Sequence, residues 1–179
     1  MSGQSLQALR ELLAECGGLI AGLLASPAEQ AEGAERDSPA TLVAGGPRVA
    51  GSEDEYGLLI EAIYEGYLLH YDVPRVLRRP EADLAVLAGD RLYAIGLARL
   101  VELGDTFAVA ELADTITLSS LAQGAGDTEL AEAVWEAGAR TVGWGPSDRH
   151  RAAKELVAAG APGALEAMRT SARAVPTPP

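Results

Sequence analysis

Apolar residues recur at alternating spacings of three and four along most of this chain, as they do on one face of an α-helix. Near the N-terminus, Leu6, Leu9, Leu13, Cys16 and Ile20 follow this spacing. They predict an amphipathic helix within residues 1–25, beginning at about residue 4. The same spacing predicts helices over residues 53–72, 83–103, 106–122, 128–142 and 148–159, and a short one after residue 163. No segment alternates like a strand, so we predict an all-α protein, a bundle of about six to seven helices.

Between the first two predicted helices, the composition changes to Pro, Gly, Ala, Ser and acidic residues. Such a segment can bury little apolar surface, so residues 26–54 are predicted to be a flexible linker. Residues 55–172 then form the helical domain, since one domain is the expectation for a chain of 179 residues. The Pro-rich end, residues 173–179, is predicted to be a disordered tail.

Composition and charge narrow the possible functions. Hydrophobic residues make up 48% of the chain and aromatic residues only 4%, which favours a core of small aliphatic side chains between helices. The net charge of −12 argues against binding to nucleic acid or to anionic membranes, which requires a basic face. The N-terminus lacks a basic segment before an apolar run, and no apolar stretch approaches the ~20 residues that span a bilayer. We therefore expect a cytoplasmic protein without a transmembrane segment, in which Cys16 forms no intrachain disulfide.

The densest group of cationic residues follows the second predicted helix and contains Arg75, Arg78 and Arg79. In an acidic protein, such a group indicates contact with an anion or with an acidic partner. Asp72 precedes the arginines at the helix end. Its carboxylate either pairs with Arg75 or Arg78, or acts as a metal ligand, and the residues alone leave both open.

Other polar residues have structural explanations. His70 lies beside tyrosines at helical spacing, so we predict a partly buried structural histidine in a tyrosine-lined core or interface. His150 lies among charged residues at a predicted helix start and is predicted to be solvated. Cys16 lies on an apolar face with no nearby Lys or His that could activate it.

The order of three segments resembles part of a trans-polyprenyl diphosphate synthase. In that family an apolar helix ends in His-Asp-Asp and a further Asp, a loop with paired arginines follows, and the next helix opens with a Leu-Ala-Gly-Asp-like segment. Here Leu68-Leu69-His70-Tyr71-Asp72 resembles the first segment, with Tyr71 in place of the first Asp. Arg78 and Arg79 match the arginine pair, and Leu87-Ala88-Gly89-Asp90 matches the helix opening. The resemblance covers about Leu58–Asp127.

The resemblance also implies what is missing. Members of the family hold Mg²⁺ with two Asp-rich motifs and bind the diphosphate with arginines. By analogy, Arg75, Arg78 and Arg79 would bind a diphosphate and Asp72 would be a Mg²⁺ ligand, if such a site survives. No Asp-Asp-x-x-Asp motif follows Asp127, and one carboxylate cannot hold a cluster of metal ions. We therefore assign no catalytic residue and expect no cofactor.

Three functions follow from these observations. The first is a non-catalytic or regulatory polyprenyl-synthase-like subunit, inactive alone, that pairs with a catalytic prenyl synthase or with itself as an oligomer. The second is a helical scaffold subunit of an unrelated complex. The third is a Mg²⁺-dependent prenyl diphosphate binder or prenyltransferase that a partner chain completes.

Overall fold

A computed structural model describes residues 2–26 and 38–174 of the chain. In this part the prediction of an all-α protein is confirmed: the chain forms nine α-helices and one 3-10 turn. The described residues contain no β-strand, only an isolated bridge between Leu24 and Leu77. Within the same ranges, none of the helices combines the length and apolar character needed to cross a bilayer.

The helices are numbered in chain order. They are α1 (Ser2–Cys16), α2 (Gly18–Gly22), α3 (Pro39–Ala44), α4 (Glu53–Tyr71), α5 (Ala82–Glu102), α6 (Thr106–Gly124), α7 (Thr128–Trp144), α8 (Asp148–Ala158) and α9 (Ala164–Arg173), with the 3-10 turn at Pro47–Val49. The prediction of one continuous N-terminal helix is wrong, because the chain breaks at Gly17, where φ is 64°. Glycine adopts this left-handed conformation at little cost, so it separates α1 from α2.

The predicted linker is partly helical. Helix α3 and the 3-10 turn lie within residues 26–54, whereas residues 27–37 of that segment, and residues 175–179 of the predicted tail, lie outside the described residues. Val43 and Val49 are buried, which explains why a Pro- and Gly-rich stretch forms ordered turns here. A Cβ on Gly46 would lie 2.2 Å from the carbonyl carbon of Gly143 in α7, so a larger residue would not fit.

Contacts divide the chain into two compact units. Unit 1 comprises Met1–Thr41 and Asp54–Leu103, and unit 2 comprises Leu42–Glu53 and Gly104–Pro179. Residues 55–172, predicted as one helical domain, are thus divided at Gly104. This glycine has a φ of 75°, and Asp105 after it caps α6 by accepting a hydrogen bond from the Ala108 N–H at 3.0 Å.

Helix α4 is the central helix of unit 1, and all its residues from Tyr56 to Leu69 except Leu58 are buried. It lies close to α5 where α5 carries glycine: a Cβ on Gly96 would lie 2.4 Å from Cγ1 of Ile63. Apolar residues of α1, of α2 and the residue that follows it, and of the loop after α4 complete this core: Leu9, Leu12, Leu13, Ile20, Leu23, Val76 and Leu77.

Helix α7 is the central helix of unit 2 and packs against α6 and α9. Its buried face carries Trp135 and a series of alanines. Gly138 permits close approach to α6, since a Cβ there would lie 2.1 Å from Oγ1 of Thr115. Unit 2 is thus built from small side chains, as the composition predicts.

Candidate functional site

Arg75, the first arginine of the predicted cationic cluster, is not at the surface. It is 4% exposed, its Nη2 donates to Glu61 Oε2, and its Nε lies 3.7 Å from Glu65 Oε2. Its guanidinium also lies over the ring of Tyr64, 4.9 Å from the centroid. The expectation that Arg75 contributes to a diphosphate-binding surface is therefore wrong, because its charge is used within the core.

Glu65 fixes the loop that follows α4. Its carboxylate accepts backbone hydrogen bonds from Arg75 at 3.0 Å, Val76 at 2.7 Å and Leu77 at 2.9 Å. Burial raises the pKa of Glu65, and the charge of Arg75 and these three N–H groups only partly offset the rise. Glu65 therefore orders the segment in which the predicted arginine cluster begins.

Glu61 completes a buried network of two carboxylates and one guanidinium. The side chain is fully buried and accepts a hydrogen bond from the Ser38 hydroxyl as well as from Arg75. Neither glutamate was predicted from the sequence as a buried partner of Arg75. The signal was available, because Glu61 and Glu65 are four residues apart within an otherwise apolar helix, which places two acids on one buried face.

Arg78, Arg79 and Asp72 make local contacts, and Arg79 contacts Asp72 directly. Arg78 is exposed, and its Nη2 donates to the Gly22 carbonyl at 2.7 Å. Arg79 is exposed as well and donates from Nη1 to the backbone carbonyl of Asp72 at 3.0 Å. The Asp72 carboxylate accepts from the Val73 N–H at 2.8 Å. The structure therefore brings Arg79 into contact with Asp72, whereas the Arg75 guanidinium binds Glu61 and lies near Glu65.

This arrangement does not fit the magnesium–diphosphate site that the resemblance implies. Mg²⁺ requires several oxygen ligands in near-octahedral geometry, and Asp72 is the one carboxylate that the sequence offers at this position. Among residues 2–26 and 38–174, no three His, Cys, Asp or Glu side chains are grouped so that they could hold a metal ion. We therefore derive no chemical step through magnesium.

The structure does bring two segments of the resemblance together. His70 Nε2 lies 3.4 Å from Asp90 Oδ1, and the imidazole lies directly over Gly89. The ring also lies 5.3 Å from the ring of Tyr93, centroid to centroid. The His70 side chain is 15% exposed, which confirms the prediction of a partly buried structural histidine.

The tyrosines of α4 form a row along this part of unit 1. Ring centroids are 5.7 Å apart between Tyr64 and Tyr67 and 5.3 Å apart between Tyr67 and Tyr71. Tyr64 and Tyr67 are buried, as predicted for core residues, whereas Tyr71 is 39% exposed. Burial, together with Tyr71, Tyr67 and Asp90, raises the pKa of Tyr93, so its hydroxyl stays protonated.

His150, which was predicted to be solvated, is buried in unit 2 with 4% exposure. Its Nε2 lies 2.6 Å from Glu111 Oε1, and its Nδ1 lies 3.2 Å from the Ser171 hydroxyl. The Ser171 hydroxyl also donates to the Met168 carbonyl at 2.8 Å. The imidazole thus has a carboxylate oxygen at one ring nitrogen and a hydroxyl oxygen at the other.

Lys154 extends the network to the surface of unit 2. Its Nζ lies 2.8 Å from Glu111 Oε2 and 2.7 Å from Asp114 Oδ2. Burial lowers the pKa of Lys154, but its hydrogen bonds to Asp114 and Glu111 raise it more, so the net shift is upward. Both carboxylate oxygens of Glu111 are thus occupied, and α6 is joined to α8 and α9.

An open cleft of about 470 Å³ lies beside this network. It is lined by Phe107, Glu111, Thr141, Pro146, Ser147, Asp148, His150, Arg151 and Lys154. The two ring nitrogens of His150 and the two carboxylate oxygens of Glu111 are all engaged in contacts within the protein. The network therefore joins α6, α8 and α9 at the edge of this cleft.

This network was not predicted from the sequence, because His150 lies in the first turn of α8, where side chains are commonly solvated. Ser147 does cap α8, since its hydroxyl accepts a hydrogen bond from the His150 N–H at 3.1 Å. The available signal was the spacing of His150, Ala153 and Val157, which are the buried residues of α8.

Comparison with protein-family models, with curated proteins and with solved structures gave no match to this chain. The resemblance to polyprenyl diphosphate synthases therefore stays a prediction.

Proposed function

We propose that this chain is a non-catalytic helical subunit that acts through protein–protein contacts, and that it modulates a catalytic prenyl synthase. One observation carries the proposal: α5 exposes the large apolar side chains of Leu87 and Val101, with two exposed alanines between them. Leu87 is 63% exposed and Val101 is 58% exposed, and the exposed Ala94 and Ala98 lie between them. We call these four residues the α5 stripe. Apolar side chains grouped on one exposed side of a helix are typical of a site of protein interaction.

The charges near the end of α4 support a non-catalytic role. Arg75 is committed to two buried carboxylates, and the side chains of Arg78 and Arg79 each donate to a backbone carbonyl. Residues that would neutralise a departing diphosphate in an active synthase here stabilise the loop and its contacts. The resemblance is then one of architecture, and fold alone does not specify chemistry.

Product analysis with a catalytic partner tests the proposal. Each polyprenyl synthase encoded in the same genome would be assayed with and without this chain, and the lengths of the prenyl products compared. We expect one synthase to change its product length when the wild-type chain is added, and to be unaffected by Leu87→Glu. Leu121→Glu, at a matched exposed leucine on α6, is the control and should retain the effect. If no synthase changes its product, the proposal is wrong.

A scaffold role in an unrelated complex is the second candidate, and the same α5 stripe favours it. Affinity purification of the tagged wild-type chain and of Leu87→Glu separates the two. A partner captured only by the wild-type chain, and identified as something other than an isoprenoid enzyme, would support the scaffold role over the regulatory one.

Binding of a prenyl diphosphate is the third candidate, and the exposure of Arg78 and Arg79 favours it. Guanidinium groups bind phosphate oxygens through paired N–H donors. Such binding would have to use carboxylates of another chain to hold Mg²⁺. A titration with a prenyl diphosphate tests it directly.

A further inference from the structure

The cleft beside α8 contains a buried hydroxyl that the fold leaves without a hydrogen bond. Thr141 of α7 lines this cleft and is 7% exposed. On α6, the hydroxyls of Thr115 and Thr117 donate to the carbonyl four residues earlier. The Thr141 hydroxyl, by contrast, makes no hydrogen bond with any residue in the described ranges 2–26 and 38–174. Because a buried hydroxyl without a partner costs free energy, this group is available to a molecule in the cleft.

The charged groups around the cleft are already paired with one another. The Glu111 carboxylate contacts His150 at 2.6 Å and Lys154 at 2.8 Å. At the exposed outer edge, Arg151 Nη2 lies 2.9 Å from Asp148 Oδ1. An anion in the cleft would face the Glu111 carboxylate, and a cation would face the Lys154 ammonium group. Since like charges in contact are unfavourable, the cleft favours a ligand without charge.

One wall of the cleft is aromatic. Phe107, the only phenylalanine in the chain, lines it together with Pro146. The Arg48 guanidinium lies over the Phe107 ring, 4.4 Å from its centroid, and is itself bound by both carboxylate oxygens of Asp105 at 3.1 Å. These contacts fix the ring at the cleft. A fixed aromatic ring attracts a second ring in an offset-stacked or edge-to-face arrangement.

We propose that this cleft binds an uncharged aromatic molecule that carries a hydroxyl group, of which phenol is the simplest example. The ligand ring packs against Phe107 and Pro146, and the ligand hydroxyl forms a hydrogen bond with the Thr141 hydroxyl. Ser147 provides a second polar contact: its oxygen accepts from the His150 N–H, and among the described residues none accepts its proton. The cleft volume of about 470 Å³ lies within the range of about 300–1,000 Å³ for small-molecule sites.

This inference does not depend on the proposed function. All the residues that line the cleft belong to unit 2, whereas the α5 stripe lies in unit 1. A chain that binds phenol and changes the product of no prenyl synthase would leave the cleft site standing and overturn the proposed function. A chain that changes such a product and binds no phenol would do the reverse.

Titration of the full chain with phenol, followed by NMR of the backbone amides, tests the site. We expect saturable shifts around Thr141 and Ser147 with a dissociation constant of about 1 mM or below, since so small a ligand has few atoms with which to gain free energy. At neutral pH, benzoate and benzylammonium present a similar ring with opposite charges, and each should bind at least about tenfold more weakly. The absence of saturable shifts at the cleft would overturn the inference. Binding of either charged compound as tightly as phenol would overturn it too.

Thr141→Val tests the hydroxyl itself, because it removes this group and keeps a side chain of similar shape. We expect about fivefold weaker binding of phenol, the effect of one lost hydrogen bond, and no loss of stability in urea unfolding. Thr117→Val is the control on α6, where the hydroxyl is exposed and does not line the cleft, and it should bind phenol like the wild-type chain. If Thr141→Val binds phenol as tightly as the wild-type chain, or unfolds at a lower urea concentration, the hydroxyl is not a free recognition group and the inference is wrong.

Discussion

The imidazole of His70 lies so close to Gly89 that a Cβ at position 89 would fall 2.2 Å from its Cδ2 atom. No real Cβ is found at such a distance from a heavy atom, so the ring occupies the space that glycine leaves. Gly66 makes room in the same way, since its Cβ would lie 3.0 Å from the Tyr93 ring. The contact joins the end of α4 to the start of α5, the two segments on which the family resemblance rests.

Gly89→Ala should destabilise unit 1. The added methyl group would force His70 or the backbone of α4 to move, and overpacking of this kind costs about 1–3 kcal/mol. Urea unfolding would measure this loss of stability. The loss should be smaller when Gly89→Ala is made in the His70→Ala variant, because that variant lacks the ring that the added methyl group would meet. Gly124→Ala is the matched control on α6: its Cβ meets nothing within 4 Å, so no loss is expected.

Arg75→Ala should lower the free energy of unfolding far more than Arg78→Ala does. Removal of Arg75 leaves Glu61 and Glu65 buried without their cation, and breaking a buried ion pair on one side costs about 3–5 kcal/mol. Arg78 is exposed, so its replacement should cost no more than about 1 kcal/mol. Equal effects of the two substitutions on the free energy of unfolding would show that Arg75 is not the structural residue described here.

His150→Ala should loosen unit 2 in particular. Glu111 would lose the hydrogen bond at its Oε1 atom. Because the side chains of Glu111 and His150 are each only 5% exposed, water does not readily replace the lost partner, and the free energy of unfolding should fall by about 3 kcal/mol. Hydrogen exchange should become faster in α6, α8 and α9, which this network joins. Arg149→Ala, at the exposed neighbouring position, serves as the control. Unchanged exchange in those three helices would contradict the assignment of His150 as their link.

Lys154 should make stability depend on pH in the alkaline range. The pKa of Lys154 is raised in the folded state above its ordinary value of 10.5. Its stabilising contribution is therefore fully present below that value and is lost as the pH rises through the folded-state pKa. Urea unfolding of the wild-type chain and of Lys154→Met should differ below this range and converge above it. A difference in stability between the two proteins that stays constant across this pH range would contradict the raised pKa of Lys154. Tyr93 is present in both proteins, so its titration does not contribute to the difference.

Apolar periodicity was sufficient to predict the fold class and the seven longer helices, because burial of one helix face leaves a pattern that local sequence preserves. It placed the ends of α5 within one residue of Ala82 and Glu102. It did not predict the break at Gly17, because glycine is tolerated within a helix and the left-handed conformation is a property of the folded backbone. The short helix α3 was missed for a related reason, since six residues give too few positions to show a period.

The candidate site was harder to predict, because the partners of a charged residue lie far away in sequence. Arg75 is paired with glutamates 10 and 14 residues earlier, and His150 with an acid 39 residues earlier. Sequence identified the charged residues but not which charges are buried together. It therefore grouped Arg75 with Arg78 and Arg79 as one surface, whereas the fold directs Arg75 inward and the other two outward.

The most direct test of a non-catalytic role is isothermal titration of the chain with farnesyl diphosphate, with and without Mg²⁺. The same titration would be repeated on the double variant Arg78→Ala, Arg79→Ala. Since Arg75 is committed to Glu61 and Glu65 and Asp72 stands without further metal ligands in the sequence motif, we expect no magnesium-dependent heat of binding in either protein. Tight, magnesium-dependent binding to the wild-type chain that is lost in the double variant would contradict the account and restore a diphosphate site.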